Sequence, residues 1–302
     1  MTRSRRLALA LVLDLILVAG EAVGAVFAHS TGLFATAGHD LADAAALGLA
    51  LVATRLALRP ATAAKSFGYH RATILAALAN ATAIVLVTLG VVALAAYRLA
   101  YPAHVHGALV VIVAAGGLLG NAAAALLLRD GTKDLNLRAA ALHFSGDALA
   151  AFGVMVAGGV ILATGRFESL DPAVALLIAL LIGAEAWRLV RASLDVLLEA
   201  TPSDLDVAAV ASVISATPGV TEVHDLHCWS LSSDVRALSA HVVLDGHPTL
   251  EQAQVIGELV KISVGERFRV AHATLEMECE PCADDVTDAC AVEAVSRVPR
   301  IS

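Results

Sequence analysis

The stretch Ala37-Gly38-His39-Asp40-Leu41-Ala42-Asp43, AGHDLAD, interrupts a run built otherwise from alanine, leucine and valine. A histidine and two aspartates there must be explained by what encloses them, because an isolated carboxylate in hydrocarbon is expensive and normally faces a cavity, a partner or an ion. The enclosure reads as a bilayer. The chain is 58% hydrophobic with a mean hydropathy of +0.78, outside the usual range of a soluble globular protein. Six stretches, at residues 7–27, 33–58, 72–97, 107–128, 139–163 and 173–196, are long enough to cross a hydrocarbon layer of about 30 Å. The first carries Asp14 and Glu21 and is followed by five more, so it reads as a span and not as a cleavable leader.

Charge orients these spans and divides the chain. Arg3, Arg5 and Arg6 precede the first span, Arg55, Arg59, Lys65 and Arg71 border the loop between the second and third, and Arg129, Lys133 and Arg138 border that between the fourth and fifth. Arg188 and Arg191 close the sixth, whereas the opposite loops hold only Arg98 and Arg166. Basic residues favour the cytoplasmic side, so both termini are expected there. Residues 1–198 carry 14 basic and 11 acidic side chains, and residues 199–302 carry 6 and 17. A soluble acidic domain is therefore expected from Glu199, opened by ATPSD at 200–204, where Pro202 with Ser203 or Asp204 offers a helix start. Beyond it the pattern predicts helix 204–216, strands 221–231 and 235–244, helix 249–265 and strand 269–277, a small two-layer α+β module. Such an acidic domain is a poor partner for nucleic acid.

The histidine and aspartate of the opening stretch have an echo. His39 and Asp43 stand four apart, on one helical face, and His143 and Asp147 in LHFSGDAL repeat the order and spacing in the fifth span. If the two spans face each other, the pairs supply two imidazole nitrogens and two carboxylates. That donor set suits tetrahedral Zn²⁺ better than Mg²⁺, which takes an oxygen octahedron, or Cu(I), which takes sulfur. A proton relay and a hydrogen-bonded network stiffening the bundle are the other readings of the same four residues. Glu21 reads as a second cavity residue or a structural hydrogen bond, and Asp14, nearer the cytoplasm, as an entrance group. Asn80 and Asn121 are expected to join helices, and Gly116, Gly117 and Gly120 to permit close helix packing. Asp40 is open between orienting His39, attracting cations and pairing with a basic side chain, because neighbours on a helix do not readily point at one ion. His29, His104 and His106 lie in exit-side loops without a third ligand.

The acidic domain holds a second group of donors. His224 and His227 in HDLHCWSL, with His272, Cys279 and Cys282 in HATLEMECEPC, are candidate metal ligands. The C-x-x-C pair has the spacing of a zinc or a redox site. Polar packing on a half-buried strand is the competing reading for the two histidines. Cys290 has no comparable spacing, and Trp229 reads as an apolar anchor.

The six spans, the paired H-x-x-x-D turns, SFGYHRATILAALAN at 66–80, LLEATP at 197–202 and HDLHCWSL together resemble the cation diffusion facilitator family, in particular its zinc-exporting bacterial branch. The resemblance covers nearly the whole chain. It implies a polytopic α-helical membrane protein with six transmembrane helices, followed by a cytoplasmic α+β metallochaperone-like domain. The first part, 1–198, would be the cation-efflux domain, and 199–302 would regulate and dimerise. The implied function is a homodimeric Zn²⁺/H⁺ antiporter of the inner (plasma) membrane, with cadmium and cobalt as further candidate cargo. His39, Asp43, His143 and Asp147 match the family's transport ligands. Zinc would be both substrate and regulatory ligand, with no organic cofactor and no enzymatic activity. A non-transporting membrane metal sensor is the alternative.

Several positions depart from the family pattern. Thr36 stands where an aspartate is common, and Asp40 where an apolar residue is common. The loop RDGTKDLNLR lacks the histidine-rich insertion of some relatives, and Tyr69 stands where some use a histidine for a second metal. His224 and His272 match ligand positions of some relatives, but Thr274 stands in place of a carboxylate.

Overall fold

A computed structural model describes residues 3–129, 135–232 and 235–279. Cys282 and Cys290 lie outside the described residues, as does the centre of the loop between the fourth and fifth spans. The chain forms two compact units, one of residues 1–56 and 75–192, the other of residues 57–74 and 193–302.

Six long helices precede the sheet: α1 (Arg3–Ala28), α2 (Thr31–Ala57), α3 (Ala72–Ala100), α4 (Gly107–Arg129), α5 (Leu135–Thr164) and α6 (Leu170–Leu197). Among the described residues, four of them, α3 to α6, are long and apolar enough to cross a membrane. α2 has the length but carries Asp40, Asp43 and Arg55. The helical unit encloses several polar groups in an otherwise apolar interior and exposes large apolar side chains. Glu21, Asp40, Asn121 and Asp171 are all 5% exposed or less, while Ile16, Leu119, Leu149 and Leu181 are more than 60% exposed. That distribution is what a hydrocarbon solvent selects, since lipid solvates leucine at no cost and only the interior can satisfy a carboxylate.

Close helix contacts rest on glycine. A methyl group on Gly107 would lie 2.8 Å from the Leu162 nitrogen and 2.9 Å from the Gly158 carbonyl oxygen, so the start of α4 sits directly on the α5 backbone. Gly107→Ala should therefore lower the thermal stability of the detergent-solubilised protein, by about 1–3 kcal/mol if the overpacking is typical. An unchanged melting temperature would show that the two backbones can separate freely. Gly117 and Gly120 leave room for Glu21 and Leu17 of α1, whereas Gly116 faces open space and takes no part in packing.

In the other unit, α7 (Val207–Ser215), β1 (Val220–Ser230), β2 (Arg236–Leu244), α8 (Leu250–Phe268) and β3 (Val270–Glu278) form a two-layer fold. The sheet order is β1-β2-β3, antiparallel between the first pair and parallel between the second. Its core packs Val210 and Ile214 of α7 and Val260 and Val264 of α8 against Cys228, Leu238, Ala240 and Val242. α7 begins later than the sequence predicts. Its cap is Asp206, which accepts from the Ala208 N–H at 2.9 Å, because the Asp204 carboxylate is taken by Arg236 at 2.6 and 2.8 Å. The guanidinium holds the Asp204 carboxyl below the usual carboxylate range. α8 starts in a capping box between Thr249 and Gln252.

Candidate metal centre

The helix that carries AGHDLAD is anchored from both ends of its first turn. α1 stops in a Schellman geometry, with His29 in the left-handed region at φ 52°, the Ser30 N–H donating to the Ala25 carbonyl at 3.2 Å and the His29 N–H to that of Val26 at 3.4 Å. Histidine tolerates this conformation better than most side chains. Ser30 then accepts from the Leu33 N–H at 3.1 Å, opening α2 as its cap. Asp171, at the start of α6 and 1% exposed, accepts from the Ser30 hydroxyl, from the Thr31 N–H at 2.5 Å and from the Gly32 N–H at 3.3 and 3.4 Å. A buried carboxylate is tolerable here because it answers the orphan donors and positive dipole end of a helix. The sequence shows an acid before Pro172 but not the partner it serves.

From this anchor, α2 presents His39 and Asp43 to His143 and Asp147 of α5. His39 Nε2 lies 3.5 Å from Asp43 Oδ2 and 3.6 Å from Asp147 Oδ1, and His143 Nε2 lies 3.3 Å from Asp43 Oδ2 and 3.6 Å from Asp147 Oδ2. The two imidazoles meet edge to face, centroids 6.0 Å apart. Each carboxylate thus faces both histidines, an alternation of two nitrogen and two oxygen donors around one point. A divalent cation of borderline softness is the species such a set can hold.

Beside these four lies a cavity of about 10 Å³, the room of roughly one water, lined by Glu21, Thr36, His39, Asp40, Asn121, Asp147, Ala150 and Ile178. Two expectations change here. Asn121 does not join helices through its oxygen: Oδ1 is buried without a partner. Asp40 pairs with no lysine or arginine among the lining residues. Ligand atoms of His39, Asp40 and Asp147 lie within 4.8 Å of one another, although His39 and Asp40 are sequence neighbours. The neighbours converge because Asp147 arrives from another helix and closes the angle between them. Asp14 does not line the cavity. On the loops at the α1–α2 end, His104 pairs with Glu168 at 2.8 Å and meets His106 edge to face, centroids 5.2 Å apart.

The second unit gathers a different set of donors from the one read in its sequence. Its helices cover one sheet face, and strand alternation puts His224, His241, His272, Glu276 and Glu278 on the other. His241 Nδ1 lies 2.8 Å from Glu278 Oε1, and His224 Nε2 lies 3.3 Å from Glu278 Oε2. Ligand atoms of these three are all within 4.8 Å of one another. His227 instead turns to Asp225 at 2.9 Å, and His272 lies at 3.5 Å from Thr274 with its ring edge-on to Phe67 at 5.4 Å. Asp225 sits at φ 47° in a bulge between His224 and His227, an extra residue that keeps Leu226 and Cys228 on the core side. Cys228 is buried in that core, which pushes its thiol up and away from the thiolate a metal needs. Cys279 is exposed. His241 and Glu278 were readable only from parity: alternate positions of SAHVVL and TLEME share the face of His224 once the pairing register is known.

The profile of the cation efflux transmembrane domain matches residues 7–198, and that of the cation efflux protein cytoplasmic domain matches residues 202–280. The chain is 38% identical over 279 residues to the metal cation efflux system protein CzcD of Cupriavidus metallidurans, covering 92% of this chain and 87% of that protein. It is 36% identical over 266 residues to the zinc transporter ZitB of Escherichia coli, covering 87% and 83%. It is 33% identical over 287 residues to the cadmium, cobalt and zinc/H(+)-K(+) antiporter of Bacillus velezensis, covering 93% and 91%. With two domain profiles matched in order and relatives aligned along nearly their whole length, the chain belongs to the cation efflux family, the cation diffusion facilitators, and is an integral membrane transporter.

Proposed function

We propose that the protein exports Zn²⁺ across the inner membrane in exchange for protons, with six spans in residues 1–198, both termini in the cytoplasm, and residues 199–302 as a regulatory and dimerisation domain of a homodimer. The observation that carries this reading is the facing of two H-x-x-x-D turns, which puts both carboxylates between both imidazoles at 3.3 to 3.6 Å. The names of the relatives, a zinc transporter and an antiporter of cadmium, cobalt and zinc among them, support the cargo and the exchange.

The chemistry of exchange follows from the donors. Zinc and protons compete for the same imidazole and carboxylate lone pairs, so an ion arriving from the cytoplasm displaces protons and protons arriving from outside displace the ion. Imidazole suits this competition because its ordinary titration lies near physiological pH. A ligand set shared by two helices can open to either side when the helices rock, which is a recurrent geometry for carriers. In proteoliposomes with an imposed pH gradient, purified protein should accumulate Zn²⁺ while collapsing the gradient. Zinc binding with domain movement and no net flux would instead make it a membrane metal sensor.

In the acidic domain, His224, His241 and Glu278 form the regulatory position of this scheme, with an open coordination for a ligand from outside the three. His241→Ala should remove one bound Zn²⁺ per chain, measured by equilibrium dialysis of the full-length protein, without altering its insertion. Unchanged stoichiometry would take zinc regulation away from this cluster.

A further inference from the structure

Among the described residues, three acids share one closed space in the helical unit with histidine as the one basic side chain lining it. Glu21 is 2% exposed, Asp40 5%, and the Asp147 side chain 11%. All three line the cavity next to the paired turns, and no lysine or arginine does. Burying such a group of carboxylates without compensation is prohibitive in a low dielectric. Two further atoms there lack any hydrogen-bond partner, Glu21 Oε2 and the Asn121 amide oxygen, on side chains that are both 2% exposed. His39 Nδ1 is likewise buried without a partner. A space lined by three carboxylates, with a carboxylate oxygen and an amide oxygen left without a donor, is furnished for a cation.

The position is offset from the first. Asp40 precedes Asp43 by three residues, about 4.5 Å along a helix, and Thr36 and Glu21 also lie toward the α1–α2 turn. His39 and Asp147 belong to both sets, so the two positions overlap and one ion can occupy only one of them at a time. We propose that His39, Asp40, Asp147 and Glu21, with the Asn121 oxygen, form a second divalent-cation position, onto which the ion steps from the paired turns by exchanging Asp43 and His143 for Asp40 and Glu21. This rests on the reading of the paired turns as the transport site. The new set has one nitrogen and otherwise oxygen donors, harder than the first, so it holds Zn²⁺ less tightly. The step costs binding free energy, and a weaker position displaced toward one end of the bundle gives the ion a defined place from which to leave.

The test is isothermal titration with Zn²⁺ alone, in the full-length detergent-solubilised protein carrying His224→Ala, His241→Ala, Cys279→Ser and Cys282→Ser to silence the acidic domain. That background should bind one ion at the paired positions. Asp43→Ala with His143→Ala should still bind one ion, about 10- to 100-fold more weakly. Adding Asp40→Asn should abolish that binding, and adding the near-isosteric Glu21→Gln in its place should weaken it further. Asp40→Asn with the paired turns intact should leave one ion bound. The inference is overturned if the Asp43/His143 double variant, monodisperse by size-exclusion chromatography, binds no ion, or if its binding survives Asp40→Asn. If the background protein itself binds no ion, the transport-site reading falls and this inference falls with it.

Discussion

Asp43→Ala and Asp147→Ala are each expected to abolish Zn²⁺ flux in proteoliposomes, by about 100-fold or more, while the protein inserts and purifies as before. The magnitude follows from position. Each carboxylate lies within 3.6 Å of both imidazoles, so deleting one removes a donor from both sides of the arrangement at once. Losing even an outer partner of a metal ligand costs roughly 10- to 100-fold in affinity. Insertion should not suffer, because the substitution takes a charge out of a span, the direction that membranes favour. Asn at either position separates charge from shape: it keeps the volume and one oxygen, and flux should still fall steeply if the ion needs the anion. Normal flux in folded Asp43→Ala and Asp147→Ala proteins would remove both residues from the transport site.

The largest stability effect is expected at Asp171, whose carboxylate caps the start of α2. Asp171→Ala leaves the Ser30 hydroxyl and the Thr31 and Gly32 N–H groups without their acceptor in a fully buried turn. At 1–3 kcal/mol for each of the three unsatisfied buried donors, the loss should be about 3–9 kcal/mol. Thermal unfolding in detergent, followed by size-exclusion chromatography, should show a large fall in melting temperature. Asp171→Asn, which keeps one acceptor oxygen, should recover part of it. Water entering the turn would be the physical reason for a small effect, and a melting temperature within a degree of wild type would establish it. Because the same turn sets where α2 begins, Asp171→Ala should also weaken zinc binding at His39 and Asp43, several turns away from the substitution.

How much of this was legible beforehand varies with the physics of each feature. The paired turns were legible because both halves are local: a spacing of four on a helix puts two side chains on one face whatever surrounds them, and hydrophobic length alone announces the helices. The facing of the two turns was a supposition until α2 and α5 were seen together. In the acidic domain, elements and order were legible to within a few residues, but of the three donors that lie together only His224 was. His224 was picked out with His227, which turns to Asp225, and with His272, which lies against Phe67. The actual neighbours, His241 and Glu278, sit on two other strands, and only register decides which alternate residues meet.

Residues 37 to 43 summarise the division. Sequence by itself determined that His39 and Asp43 share one helical face, since helical geometry is a property of the local chain, and composition pointed to a bilayer around them. Tertiary structure alone decided what Asp40 does. Within α2 alone it is the sequence neighbour of His39 and does not share its direction, and the arrival of Asp147 from α5 and Glu21 from α1 makes it part of a shared cavity. Contacts between helices depend on crossing geometry and on where α4 offers Gly117 to make room, and no spacing within a single helix carries that information.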